Sequence, residues 1–279
     1  MKSLFLKSFS LCLLFVGAAT LVSCGEGDED ILGPQIEPVV PHNVTLDATN
    51  FPDANFRAYV SRLTGVAEGE VIPAEVLASV TEIDVYDSLI RTLTGIEHFT
   101  ALEKLDCAYN DITSLDVSKN VALKELDCTG NQLTSLDVSK NVALKKLECS
   151  SNDLTSLDVS KNVALETLYC AGNQLDLLDV SKNVALETLY CNNNYLTSLD
   201  VSKNLVLGTL HCHKNQLRGA QMDALIASLP VVSNGRFVVI YRYRSQVSDG
   251  NVCTVAQVNA ARAKGWRVLD WNNEDYSGS

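Results

Sequence analysis

The sequence predicts an α/β solenoid, a stack of short parallel strands with a helical cap before it and an α/β cap after it. Three observations predict it. Leucines 102, 123, 144, 165, 186 and 207 recur at an unbroken interval of 21 residues. Each opens a unit of the form LxxLxCxxNxLxxLDVSKNVA. Cys107, Cys128, Cys149, Cys170, Cys191 and Cys212 therefore recur in step, as do Asn110, Asn131, Asn152, Asn173, Asn194 and Asn215. Positions such as Leu123, Leu126, Cys128, Leu133, Leu136 and Val138 mark one inward face, which a single coil cannot bury and a stack can.

Taken in chain order, residues 1–23 read as a targeting segment. Lys2 and Lys7 precede an apolar run that is too short and wrongly flanked to span a membrane. Leu21-Val22-Ser23-Cys24 resembles the lipobox of bacterial lipoproteins, which implies an acylated Cys24 and a lipid-anchored chain. Ala18, Ala19 and Ser23 also permit the alternative, a plain secretory signal cleaved nearby. Without residues 1–23 the chain keeps 20 basic against 34 acidic residues, a net charge of −14. Such a surface repels phosphate backbones and argues against a nucleic-acid partner. The acidic run Gly25–Asp30 resembles the export signal that sends lipoproteins of some Gram-negative anaerobes to the outer face of the outer membrane. With Pro34, Pro38 and Pro41, residues 24–46 read as a tether.

Residues 47–79 read as a helical N-terminal cap, with helices over 54–63 and 73–79 and with Phe51, Phe56 and Tyr59 available to cover the first coil. Between the helices, residues 64–75 align with a calcium-binding loop at Gly69 and Glu75. Thr64 and Val66, at its first and third positions, supply no carboxylate, which puts calcium binding in doubt. The repeats occupy 80–217 and open on a degenerate unit, VTEIDVYDSLI, with Val85 at the cysteine position and Ser88 at the asparagine position. Seven strands at a spacing of about 4.8 Å make a sheet roughly 30 Å long. Residues 218–279 read as an α/β C-terminal cap: helix 219–229, strand 237–243, helix 254–264 and strand 266–271.

The unit resembles the leucine-rich repeat, LxxLxLxxNxL, with Cys in place of the third strand leucine. It is most similar to the cysteine-ladder repeats of internalin-type proteins and of surface lipoproteins from Gram-negative anaerobes. The resemblance implies a leucine-rich-repeat solenoid with a curved parallel sheet, covering residues 47–279 with its caps. The asparagines are expected to pair with backbone groups of adjacent coils at the turns. The cysteines are expected as buried apolar thiols. Parallel Cβ vectors about 4.8 Å apart do not suit a bridge that needs about 3.8 Å, and a straight ladder does not converge on a metal. Asp116, Asp137, Asp158, Asp179 and Asp200, each with a lysine three residues on, read as a solvated edge.

Strand alternation turns positions 3, 5 and 7 of each unit outward, onto what the resemblance makes the concave face. The first coils there are charged. The last three carry the candidate ligand-binding residues Thr167, Tyr169, Thr188, Tyr190, Asn192, Thr209, His211 and His213. Aromatic rings among hydroxyls and amides suit recognition. His211 and His213 point away from Cys212, so they are not its bases, and two histidines alone are too few for a zinc site. No catalytic residue, resident metal or cofactor is expected. The reading is a lipid-anchored, surface-exposed protein of the outer membrane that recognises an extracellular or surface protein. A glycan-binding component is the alternative, and a hydrolase is the least favoured.

Overall fold

The computed structural model describes residues 42–243, 246–247 and 249–279. The stretch read above as a targeting segment, Cys24 and the acidic run that follows it lie outside the described residues.

In the N-terminal cap, β1 (Val44–Thr45) pairs antiparallel with β2 (Val71–Ile72). Val44 and Leu46 are buried, so the last residues assigned above to the tether belong to the cap. Their alternation gives the strand an inward side that the prolines upstream disguise. Helix α1 (Ala54–Thr64) starts where Asp53 accepts from the backbone N–H groups of Asn55 and Phe56. The other Asp53 oxygen accepts from Arg91 N–H at 2.9 Å, tying the cap to the first coil. Helix α2 (Ala74–Leu77) is shorter than expected, with Pro73 at its N-cap. Phe51 and Phe56 are fully buried, and Phe51 contacts His98 and Phe99 at centroid distances of 5.7 and 6.5 Å, closing the first coil. In the degenerate loop Glu68 ion-pairs with Arg57 at 2.8 Å.

The repeats supply β3 (Glu82–Asp84), β4 (Lys104–Asp106), β5 (Glu125–Asp127), β6 (Lys146–Glu148), β7 (Thr167–Tyr169), β8 (Thr188–Tyr190) and β9 (Thr209–His211). They are parallel and in register. The C-terminal cap follows with α3 (Ala220–Ser228), β10 (Gly235–Ile240), β11 (Arg242–Tyr243), β12 (Gln246–Val247), α4 (Val255–Ala263) and β13 (Trp266–Asp270). β10 joins β9 and β13 joins β10, both parallel, so the cap lengthens the repeat sheet to nine strands.

Two rows of side-chain amides hold the coils together. As expected, the position-9 asparagines bridge neighbours: Asn152 Nδ2 donates to the Cys128 and Cys149 carbonyls, and its Oδ1 accepts from Leu133 N–H. Every residue just before this position, from Asp87 through Tyr109, Gly130, Ser151, Gly172 and Asn193 to Lys214, is left-handed, with φ between 48° and 67°. That residue turns the chain three positions after each strand has ended. Asn251 of the C-terminal cap repeats the pattern, donating to the Cys212 and Val239 carbonyls and accepting from Leu217 N–H. The second row sits within the VSKN turns. Asn120, Asn141, Asn162, Asn183 and Asn204 are fully buried, and Asn162 Nδ2 donates to the Val138 and Asn141 carbonyls.

The ladder cysteines and Cys253 are buried free thiols. Burial pushes the Cys170 and Cys253 thiols up to about 12, and drives the others above the ordinary thiol range as well. Each aspartate of the outer column accepts from the serine amide two residues on, as Asp137 does from Ser139 at 2.8 Å. Hydrogen bonds from those serines hold Asp116, Asp137, Asp158 and Asp179 below the ordinary carboxylate range.

Candidate recognition surface

Register carries two outward columns across the whole sheet. The first runs Glu82, Lys104, Glu125, Lys146, then Thr167, Thr188, Thr209, and continues in the cap as Arg236 and Arg267. Beside it run Asp84, Asp106, Asp127, Glu148, then Tyr169, Tyr190 and His211; the register continues into the cap at Val238 and Leu269, which are buried. The face therefore passes from carboxylates through rings and hydroxyls to guanidiniums.

The charged end is crowded. Lys104 bridges to Glu82 at 2.8 Å and Lys146 contacts Glu148. Burial, followed by its aspartate neighbours, raises the Asp106 carboxyl against the pull of the Ala108 amide. In the aromatic zone the strand spacing presses the rings together. Tyr169 stacks on Tyr190 at 4.4 Å, and Tyr190 stacks on His211 at 3.9 Å. Burial raises the Tyr169 hydroxyl. Burial also lowers the His211 imidazole to about 3, helped by Arg236 and His213, and the His213 imidazole to about 4, helped by Lys214. Both histidines are neutral at pH 7.

Of the expected ligand residues, Thr167, Tyr169, Thr188, Tyr190, Asn192, Thr209 and His211 are half-buried on this one face. His213 is the correction. It points outward as alternation requires, yet it is only 9% exposed, because Tyr241 of the C-terminal cap stacks over it at 6.3 Å. It supports the surface from beneath. Two residues that sequence reasoning missed continue the row. Tyr241 stacks on Trp271 at 5.1 Å with the Lys214 ammonium 3.9 Å from its ring, and Trp271 is anchored by its Nε1–H to the Arg242 carbonyl. Both were placed on strands, but no repeat spacing relates them to His213. Among the described residues no three His, Cys, Asp or Glu side chains converge as a metal-ligand set.

Comparison with known proteins agrees with this architecture. Residues 100–141 match the family model described as leucine-rich repeats, two copies. Over 70 residues the chain is 44% identical to Internalin J of Listeria monocytogenes serotype 4b (strain F2365), a match covering 25% of this chain and 8% of that protein. The solved functional domain of InlJ from Listeria monocytogenes, titled as including a cysteine ladder, superposes with a TM-score of 0.58 at 29% identity. That likeness covers 82% of this chain and 57% of the other. The chain is a leucine-rich-repeat solenoid, similar over part of its length to Internalin J. A leucine-rich-repeat protein of Leptospira interrogans shares the fold at a TM-score of 0.54 and 22% identity, over 70% of this chain and 50% of its own. The chain spans little more than half of the solved InlJ domain.

Proposed function

We propose that this internalin-like chain is a non-catalytic recognition module, anchored in the outer membrane through an acylated Cys24 and displayed outward, where it binds an extracellular protein. The contact is made by Tyr169, Tyr190 and His211, the threonines beside them, Asn192, and Tyr241 with Trp271 beyond. One observation carries the reading: the aromatic row is pre-stacked. Rings already fixed against one another lose little freedom on binding, which is what makes aromatic anchors effective in interfaces. The same stacking favours protein over sugar here. Both faces of the Tyr190 ring are occupied by its neighbours, leaving edges and hydroxyls rather than a flat platform for a pyranose.

The test is affinity capture of host or community proteins with the soluble exported chain, beside a Tyr169→Ala/Tyr190→Ala variant. Loss of a captured partner with the fold intact supports the reading; equal capture rejects it. Protease shaving of intact cells, with a Cys24→Ala control, tests display and anchoring. If the protein survives shaving, the outward orientation is wrong.

A further inference from the structure

A second aromatic site lies on the turns that leave the first two repeat strands. Tyr86 is 53% and Tyr109 54% exposed, and Leu89 on the same turn as Tyr86 is 70% exposed. The tyrosines meet edge to face, with centroids 5.3 Å apart and planes at 60°. A side chain at Gly130 would bring its Cβ within 2.9 Å of Tyr109 Cδ1, so glycine is what lets that ring lie against the next coil. Leu89 has φ 57°, a left-handed conformation in which a leucine has no side-chain hydrogen bond to compensate. Asn55 Nδ2 of α1 fixes it by donating to the Leu89 carbonyl at 3.0 Å. Asp84 ends β3 and accepts from the Tyr86 N–H at 3.1 Å, Asp87 lies on the turn next to Tyr86, and Asp111 follows Tyr109 by two residues.

We propose that Tyr86 and Tyr109, with Leu89 and the adjoining carboxylates, bind a neutral hexopyranose unit of a glycan. In an edge-to-face pair the ring that offers its edge keeps its own face free, unlike the parallel stack at Tyr190. That face suits the apolar C–H side of a pyranose, and carboxylates accept strong hydrogen bonds from sugar hydroxyls. Size decides against a protein partner. Two half-exposed tyrosines and a leucine present roughly 300 Å², well short of the ~800 Å² per side of a stable protein interface. The carboxylates repel anionic sugars, which makes the unit neutral. The site uses other coils than Tyr169–His211 and does not depend on the protein-binding reading above.

The experiment titrates the protein with cellotetraose, chitotetraose, maltotetraose and mannotetraose, read by calorimetry and by saturation transfer to the sugar. At least one is expected to bind with a Kd of about 1 mM or tighter. Tyr86→Ala and Tyr109→Ala should each weaken it about tenfold or more, and Gly130→Ala should weaken it by displacing the Tyr109 ring. Tyr169→Ala/Tyr190→Ala should leave it unchanged. Tyr86 is exposed, so its variant remains informative if Gly130→Ala fails to fold. The proposal is overturned if no tetrasaccharide binds below about 10 mM, if Tyr86→Ala and Tyr109→Ala bind normally, or if binding follows Tyr169 and Tyr190. A protein whose capture needs Tyr86 while no sugar binds overturns it equally.

Discussion

Tyr190 lies flat against His211, with centroids 3.9 Å apart and planes 7° from parallel. The pair sits in directly opposed positions on adjacent in-register strands. A single contact therefore serves both the sheet and the recognition surface. Replacing either ring removes an aromatic pair worth about 0.5–1.5 kcal/mol. In a chain of this size each kcal/mol shifts Tm by about 2–4 °C. A cycle through Tyr190→Ala, His211→Ala and the double variant should show coupling of that order by chemical denaturation. Strict additivity would mean that the rings merely lie near each other.

Acid acts on this end of the sheet through its histidines. The folded chain holds His211 at about 3 and His213 at about 4, both below the ordinary 6.5 that applies in the unfolded chain. Their contribution to stability is fully present above pH 6.5 and is lost as pH falls from there towards 4. In that window the unfolded chain binds more protons, so stability rises with pH. His211→Phe and His213→Phe should each flatten the slope by up to about one proton, measured by urea unfolding at pH 7, 6, 5 and 4. An unchanged slope in both variants would show that the imidazoles titrate normally in the fold.

Most of this architecture was legible because a 21-residue period fixes phase. Once Leu123 is inward, Cys128 inward and Tyr190 outward follow from alternation, and the degenerate unit at Val80 falls into place through Ile83 and Val85, both buried. Phase is lost outside the repeats. Val44 and Leu46 alternate over too few residues to stand out after three prolines. Alternation placed His213 on the correct side but carried no word of Tyr241, whose approach depends on how β10 docks on β9. The VSKN asparagines were in phase all along. They read as a polar turn because their serine and lysine neighbours are solvent-facing, although an asparagine recurring three residues before an inward leucine once per coil was the available signal.

The cysteine ladder yields a chemical prediction. Burial holds the Cys170 and Cys253 thiols at about 12, so at pH 8 only about one in 10⁴ of each is thiolate. Iodoacetamide should leave all seven described cysteines unmodified in the folded protein and label all of them in guanidinium, counted by intact mass. Fast labelling of any ladder cysteine under native conditions would place that thiol at the surface.

The two asparagine rows should differ in cost, because they differ in what they leave behind. Asn152 Oδ1 accepts from the Leu133 N–H, so Asn152→Ala strands a buried donor as well as removing the bonds that Nδ2 donates to the Cys128, Cys149 and Ser150 carbonyls. The acceptors of Asn162 keep other partners: the Val138 carbonyl still receives Asn141 N–H and the Asn141 carbonyl still receives Leu144 N–H. Asn162 Oδ1 has no partner among the described residues. An unmet buried N–H costs about 1–3 kcal/mol, whereas a hydrogen bond lost from a group that stays paired costs about 1. Asn152→Ala is therefore expected to be more destabilising than Asn162→Ala by about 2 kcal/mol, read by denaturant midpoints at constant slope. Equal losses would mean that the Leu133 amide finds another acceptor, and that the position-9 row holds its neighbours no more firmly than the row in the VSKN turns.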